Sequence, residues 1–291
     1  MRPGLALLLT TLLTTAQPLR ADEPPKDLRG RLAEKLTAEG QAALKVSPKP
    51  GGKAAKPAKA EAAQGAHRPH WGYAGDGSPE RWGELAPENR SCAIGTRQSP
   101  IDIRDTIKVD LERIQFDYKP SSFSVLDNGH TIQVNVEPGN SLQVMGRRFE
   151  LLQFHFHKPS EERINGRSFD MVAHLVHKDA EGKLAVVAVL LERGKDQAQI
   201  QQVWNHLPLE KHQAQAAPVT LDLNQLLPTE RGYYTFMGSL TTPPCSEGVL
   251  WLVMRQPVGI GAAQLAIFSK LYPMNARPIQ PAGGRLIKES W

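Results

Sequence analysis

Between about residue 120 and residue 255, apolar and polar side chains alternate in short runs that turn residues interrupt. Phe123–Leu126, Thr131–Val136, Ser141–Met145, Arg148–Phe156, Met171–Val176, Leu184–Leu191, Tyr233–Phe236 and Val249–Met254 read as strands, because a period of two puts every second side chain on one sheet face. Asn128-Gly129, Pro138-Gly139 and Glu181-Gly182 are the turn signals between them. Gln197–Asn205 and Ala262–Leu271 carry the pattern of short helices. Together these runs predict a mixed, β-dominated (α+β) domain, a large sheet with peripheral helices. The sequence has no internal repeat and no glycine-rich phosphate loop.

One strand carries unusual chemistry. In Gln153-Phe154-His155-Phe156-His157 the polar residues share one face and the two phenylalanines the other. His155 and His157 are then about 6–7 Å apart at their Cα atoms, close enough for both imidazoles to reach one cation. The next strand offers a third imidazole, with the turn signal Asn165-Gly166 between the two. His174 and His177 are an odd number of residues apart, so only one of them faces the pair, and parity does not say which. Three neutral nitrogens without a neighbouring cysteine suit zinc in a site that keeps one position open.

Composition separates the N-terminal part from the rest. Residues 1–68 hold 12 Lys/Arg against 6 Asp/Glu, whereas the remainder holds 23 against 24. The basic character belongs to the tail, which argues against nucleic acid as the partner of the globular part. The chain begins with Arg2, an apolar run of near ten residues and small residues up to Ala16 and Ala21, which predicts a secretory signal peptide over 1–21. The run is too short to span a bilayer, so no stable membrane span is expected after cleavage. Residues 22–68 read as a Lys-, Pro- and Ala-rich linker, with Leu28, Leu32 and Leu36 on the face of a short helix. The domain from about residue 69 to 291 is expected to fold without that segment. For an exported chain the two cysteines, Cys92 and Cys245, are candidates for a bridge.

Seven motifs occur in a fixed order: His70-Trp71-Gly72-Tyr73, Gln98 to Ile103, Asn128-Gly129-His130, Gln153 to His157, Ser160-Glu161, His174 to His177, and Ser239-Leu240-Thr241-Thr242-Pro243-Pro244. Together they resemble the exported, bacterial α-class carbonic anhydrases, over roughly residues 69–291. The resemblance implies a mostly antiparallel, twisted central sheet with zinc at the base of a conical cavity. It implies His155, His157 and His174 as zinc ligands, with His177 turned into the core.

The resemblance also implies a reaction, the reversible hydration of carbon dioxide to bicarbonate and a proton by zinc-bound hydroxide. Thr241 would accept a hydrogen bond from that hydroxide and donate to Glu161, and His130 would shuttle the proton. Val176, Val186, Leu240, Thr242 and Trp251 would form the substrate niche. Gln153 would hold His155 from outside, and Tyr73, Asn128 and Gln133 would line the proton path. A Cys92–Cys245 disulfide, a periplasmic or secreted location, and room for a homodimer belong to the same expectation.

Three positions depart from the resemblance, and at one of them Gln133 stands where Asn is common. Val172 stands where the family usually has a Glu that accepts the outer hydrogen bond of the third ligand. Asp170 lies two residues further along that face, too distant to be expected as a substitute, so water or a backbone carbonyl is expected to fill in. Glu162 stands where His is common, and the sequence alone assigns that change no consequence. Val172 therefore leaves open a second reading, a catalytically weakened protein that binds zinc or a partner. A third reading, in which Glu161 joins His155 and His157 as a direct metal ligand, leaves the Thr-Thr-Pro-Pro run unexplained.

Overall fold

The computed structural model describes residues 70–290. The expected signal peptide and linker lie outside the described residues. Ten strands follow one another edge to edge in a single sheet, in the order Ala214–Leu221, Ser121–Asp127, Ile132–Val136, Arg147–His157, Met171–Lys178, Leu184–Arg193, Glu247–Met254, Tyr233–Ser239, Lys288–Ser290 and Ile107–Val109. Three short strands flank this path, making 13 in this sheet, and Asp102–Ile103 pairs with Arg163–Ile164 in a separate two-stranded one. Most neighbours are antiparallel. Leu184–Arg193 runs parallel to Glu247–Met254, and Lys288–Ser290 runs parallel to Ile107–Val109.

All eight strands expected from alternation are present, and the helices form at Ala198–Trp204 and Ala262–Leu271. Gln197 caps the first helix by accepting hydrogen bonds from the backbone N–H groups of Gln199 and Ile200. Ala214–Leu221 had no signal in the pattern. It is an edge strand with nearly every side chain exposed, and Pro218 sits in its register irregularity. Proline removes a ladder donor and is tolerated at an edge for that reason.

The two faces of the sheet bury different things. Phe154, Phe156, Leu175, Val187 and Leu252 belong to a large apolar cluster. Val172, Val176, Val186, Ala188 and Trp251 belong to a smaller one. Each large side chain fully removed from water contributes about 1.5–3 kcal/mol, so both faces favour this register. A slip of one residue would exchange the two sets.

In the strand Arg147–His157 strict alternation fails at Leu152. Leu151 pairs with His177 and Gln153 with Val176, so Leu152 is the extra residue of a bulge and is 41 % exposed. The bulge lets Leu151 join the large cluster while Gln153, two residues on, faces the histidines.

The disulfide between Cys92 and Cys245 joins the N-terminal helical turns to the segment after Thr241-Thr242. It packs with Trp82 and Leu85 in a third cluster, against which Trp71 and Tyr73 lie. Arg277 braces the same region. Its guanidinium donates to Gln98 Oε1, to the Ser99 carbonyl and to the Cys92 carbonyl, and its backbone N–H donates to Glu161.

Candidate metal centre

Strand register brings the histidines together. Gln133 lies opposite His155, His155 opposite His174, and His174 opposite Ala188. The imidazole centroids are 5.0 Å apart for His155–His157, 5.6 Å for His155–His174 and 4.8 Å for His157–His174. One nitrogen from each ring lies within 4.8 Å of the other two. His177 faces the other way, which settles the choice that parity left open. Its Nδ1 bonds the Leu175 carbonyl at 2.9 Å and its Nε2 meets the Tyr118 hydroxyl at 2.7 Å.

The second nitrogen of each clustered ring is held by oxygen. His155 Nδ1 lies 2.9 Å from Gln153 Oε1, His157 Nδ1 lies 2.8 Å from the Asn275 carbonyl, and His174 Nε2 lies 3.2 Å from Glu162 Oε2. Oxygen acceptors of this kind place a proton on each outer nitrogen. The lone pairs of His155 Nε2, His157 Nε2 and His174 Nδ1 are thereby directed at one another. His157 Nε2 is buried with no hydrogen-bond partner, an arrangement that costs stability unless something takes the lone pair. Three such donors, with no thiolate among them, fit zinc with a position left open.

Electrostatics separate the three rings. Burial, then the neighbouring His174, pushes His155 down to about 3, and burial likewise holds His157 well below the ordinary range. For His174 burial opposes the proton, but the Glu162 carboxylate, and then Glu161, outweigh it and raise the pKa. Burial pushes Glu161 up to about 7, against the lowering influence of His174, the Arg277 N–H and the Thr241 hydroxyl. Its Oε1 accepts the Arg277 N–H at 2.8 Å, and its Oε2 lies 3.8 Å from His174 Nδ1.

A cavity of about 130 Å³ opens over His155 and His157, lined also by Trp71, Tyr73, Asn128, His130, Gln133, Gln153 and Thr242. Asn128 Oδ1 accepts the N–H groups of His130 and Thr131, and Asn128 Nδ2 donates to Gln133 Oε1. The turn expected at Asn128-Gly129 therefore fixes His130 at the cavity rim, with Gly129 at φ +87°. Val176, Val186, Trp251 and, partly buried, Leu240 form an apolar group beside His174, whose ring lies 5.0 Å from that of Trp251. Thr241 is buried, and Thr242 accepts the Cys245 N–H.

The model of the eukaryotic-type carbonic anhydrases matches residues 77–291. The chain belongs to the α-carbonic anhydrase family. It is 46 % identical over 230 residues to a carbonic anhydrase of Neisseria gonorrhoeae, covering 78 % of this chain and 90 % of that one. To a carbonic anhydrase of Pectobacterium carotovorum it is 44 % identical over 219 residues, covering 75 % and 90 %. The α-carbonic anhydrase of Thermovibrio ammonificans, solved with the inhibitor sulfanilamide, aligns with a TM-score of 0.74 at 43 % identity, over 75 % of this chain and 98 % of that one.

Some contacts of the site left no mark in the local sequence pattern. Asn275 serves His157 through its backbone carbonyl, which no residue type advertises. Arg277 reaches Glu161 from near the C-terminus. His70, part of a recognised motif, bonds His130 at 3.1 Å between their Nε2 atoms. Asp170 does not replace the absent carboxylate, because its Oδ2 accepts the Arg193 N–H at 2.8 Å.

Proposed function

We propose that the chain is a zinc enzyme that interconverts carbon dioxide and bicarbonate, with His155 Nε2, His157 Nε2 and His174 Nδ1 holding the metal. The observation that carries this is the anchoring of all three outer nitrogens, which leaves three lone pairs converging, one of them buried without a partner. When bound, zinc supplies Lewis acidity that makes hydroxide available near neutral pH.

The protein does the rest. Val176, Val186, Leu240 and Trp251 offer an uncharged, weakly polar substrate an apolar niche next to the metal ligands, with Thr242 at the cavity wall. Thr241 directs its hydroxyl proton to Glu161, which the Arg277 N–H holds in place. A dication nearby would favour the charged form of that carboxylate, making it a better acceptor. Tyr73, Asn128 and Gln133 line the route outward, and His130 at the rim passes the product proton to solvent.

The same reading places the protein outside the cytoplasm, in the periplasm or secreted, with small-molecule substrates; the Cys92–Cys245 bridge supports an oxidising compartment. Metal analysis and stopped-flow hydration of carbon dioxide test the proposal together. The expected result is about one zinc per chain, with activity lost on chelation and regained on adding zinc. A fully zinc-loaded protein without hydration activity would leave the binding reading in possession.

A further inference from the structure

A buried imidazole that gives one nitrogen to a metal needs an acceptor for the other, and Val172 cannot provide one. Val172 is fully buried, lies opposite His157 on one side and Leu190 on the other, and packs in the smaller apolar cluster. We infer that Glu162 has taken over the task, so that Val172 and Glu162 are two halves of one exchange. The carboxylate is not on the strand but arrives from the segment before Arg163–Ile164, and reaches His174 Nε2. This inference rests on the zinc reading above.

The loop is built to deliver it. Ser160 N–H donates to the Phe169 carbonyl at 3.0 Å, Phe169 N–H donates to Ser160 Oγ at 2.9 Å, and Ser160 Oγ donates to the Glu162 carbonyl at 2.9 Å. Through Ser160, these three bonds tie the Glu162 backbone to Phe169, two residues before strand Met171–Lys178. Glu162 has no exposed side-chain surface, and its Oε2 lies 3.2 Å from His174 Nε2. Its other oxygen has no partner, so the bond to His174 is the polar contact this buried group makes. Glu161 approaches the opposite nitrogen, leaving His174 flanked by a carboxylate on each side. Glu162 is thus a positioning residue: it keeps the proton on Nε2 and frees Nδ1 for zinc.

The test uses the zinc-loaded full chain. Zinc loss to a strong chelator is followed in wild type, Glu162→Ala and the double variant Glu162→His/Val172→Glu, which restores the usual family arrangement. Glu162→Ala should lose zinc about 10–100-fold faster, and the double variant should return toward the wild-type rate. Proton–nitrogen spectra should show a hydrogen-bonded Nε2–H on His174 in wild type that is absent from Glu162→Ala, with the Nδ1–H signals of His155 and His157 kept. Should Glu162→Ala fail to fold, Glu162→Gln keeps the shape without the charge and is expected to lose zinc faster than wild type. A folded variant that releases zinc at the wild-type rate overturns the inference, as does a double variant no slower than Glu162→Ala. A wild-type chain that takes up no zinc overturns the zinc reading instead.

Discussion

Trp71 and His130 are stacked, with ring centroids 3.6 Å apart and planes 9° from parallel. The stack holds the proposed shuttle against the cavity wall, where His70 also bonds it. Burial, and then the positive potential of His70, His212 and Lys211, pull His130 down to about 4. A proton carrier works best with a pKa near the working pH, so this posture suits release of a proton more than its retention. Replacing Trp71 or His70 with Ala should move the His130 midpoint up toward about 6.5, the ordinary histidine value, as read by NMR titration. An unchanged midpoint in both variants would mean that neither neighbour controls it.

Restoring the usual carboxylate in the strand alone looks helpful from sequence, since Val172→Glu should slow zinc loss. Glu162 reverses that expectation. His174 Nε2 already has its acceptor, so a second carboxylate would be buried without a partner and beside a like charge. The single variant should be destabilised by about 3–5 kcal/mol, seen as a lower denaturation midpoint, and should lose zinc no more slowly than wild type.

His177 makes a pH prediction. Its neutral form is fully bonded, and burial pushes its pKa down to about 4. The unfolded chain takes up this proton near pH 6.5 and the folded one only near 4, so stability falls as pH drops through that window. The group contributes a slope of about 1.4 kcal/mol per pH unit there. In metal-free protein, His177→Gln should flatten the stability profile between pH 6.5 and 4 by about one proton, whatever its effect at pH 8.

Removing the disulfide should cost about 2–5 kcal/mol, because the bridge closes a long loop, 153 residues in sequence separation. Cys92→Ala/Cys245→Ala should therefore melt well below wild type in calorimetry. Since the Cys245 N–H donates to Thr242 at 2.9 Å, hydrogen exchange should rise first in the Thr241–Cys245 segment. Unchanged exchange there would show that the segment is held by Arg277 and Gln98 instead.

The strands around the histidines were readable because each buries one or both faces and so carries a local pattern. The pair His155 and His157 was readable for the same reason. The choice of His174 over His177 needed the resemblance, and the register then supplied its physical basis. The bulge at Leu152 was not readable, since two adjacent leucines fit either face. The edge strand Ala214–Leu221 was missed because an exposed strand has no apolar period to display. Glu162 and Val172 were both visible as departures, but their connection is a contact between loop and strand, and no one-dimensional spacing encodes it.

Asn275 gives the site a history. Its carbonyl holds His157 across 118 positions, while its side chain accepts the Lys158 N–H and donates to the carbonyls of Phe156 and His130. A chain threaded out from its N-terminus presents all three imidazoles long before this residue emerges. Until it docks, the His157 ring lacks this hydrogen bond, and an ion meeting the cluster would find a looser set of donors. On the zinc reading, tight capture of the metal would then wait for the segment around Asn275 to dock, and a firmly held ion would report that this distant part of the chain is in place.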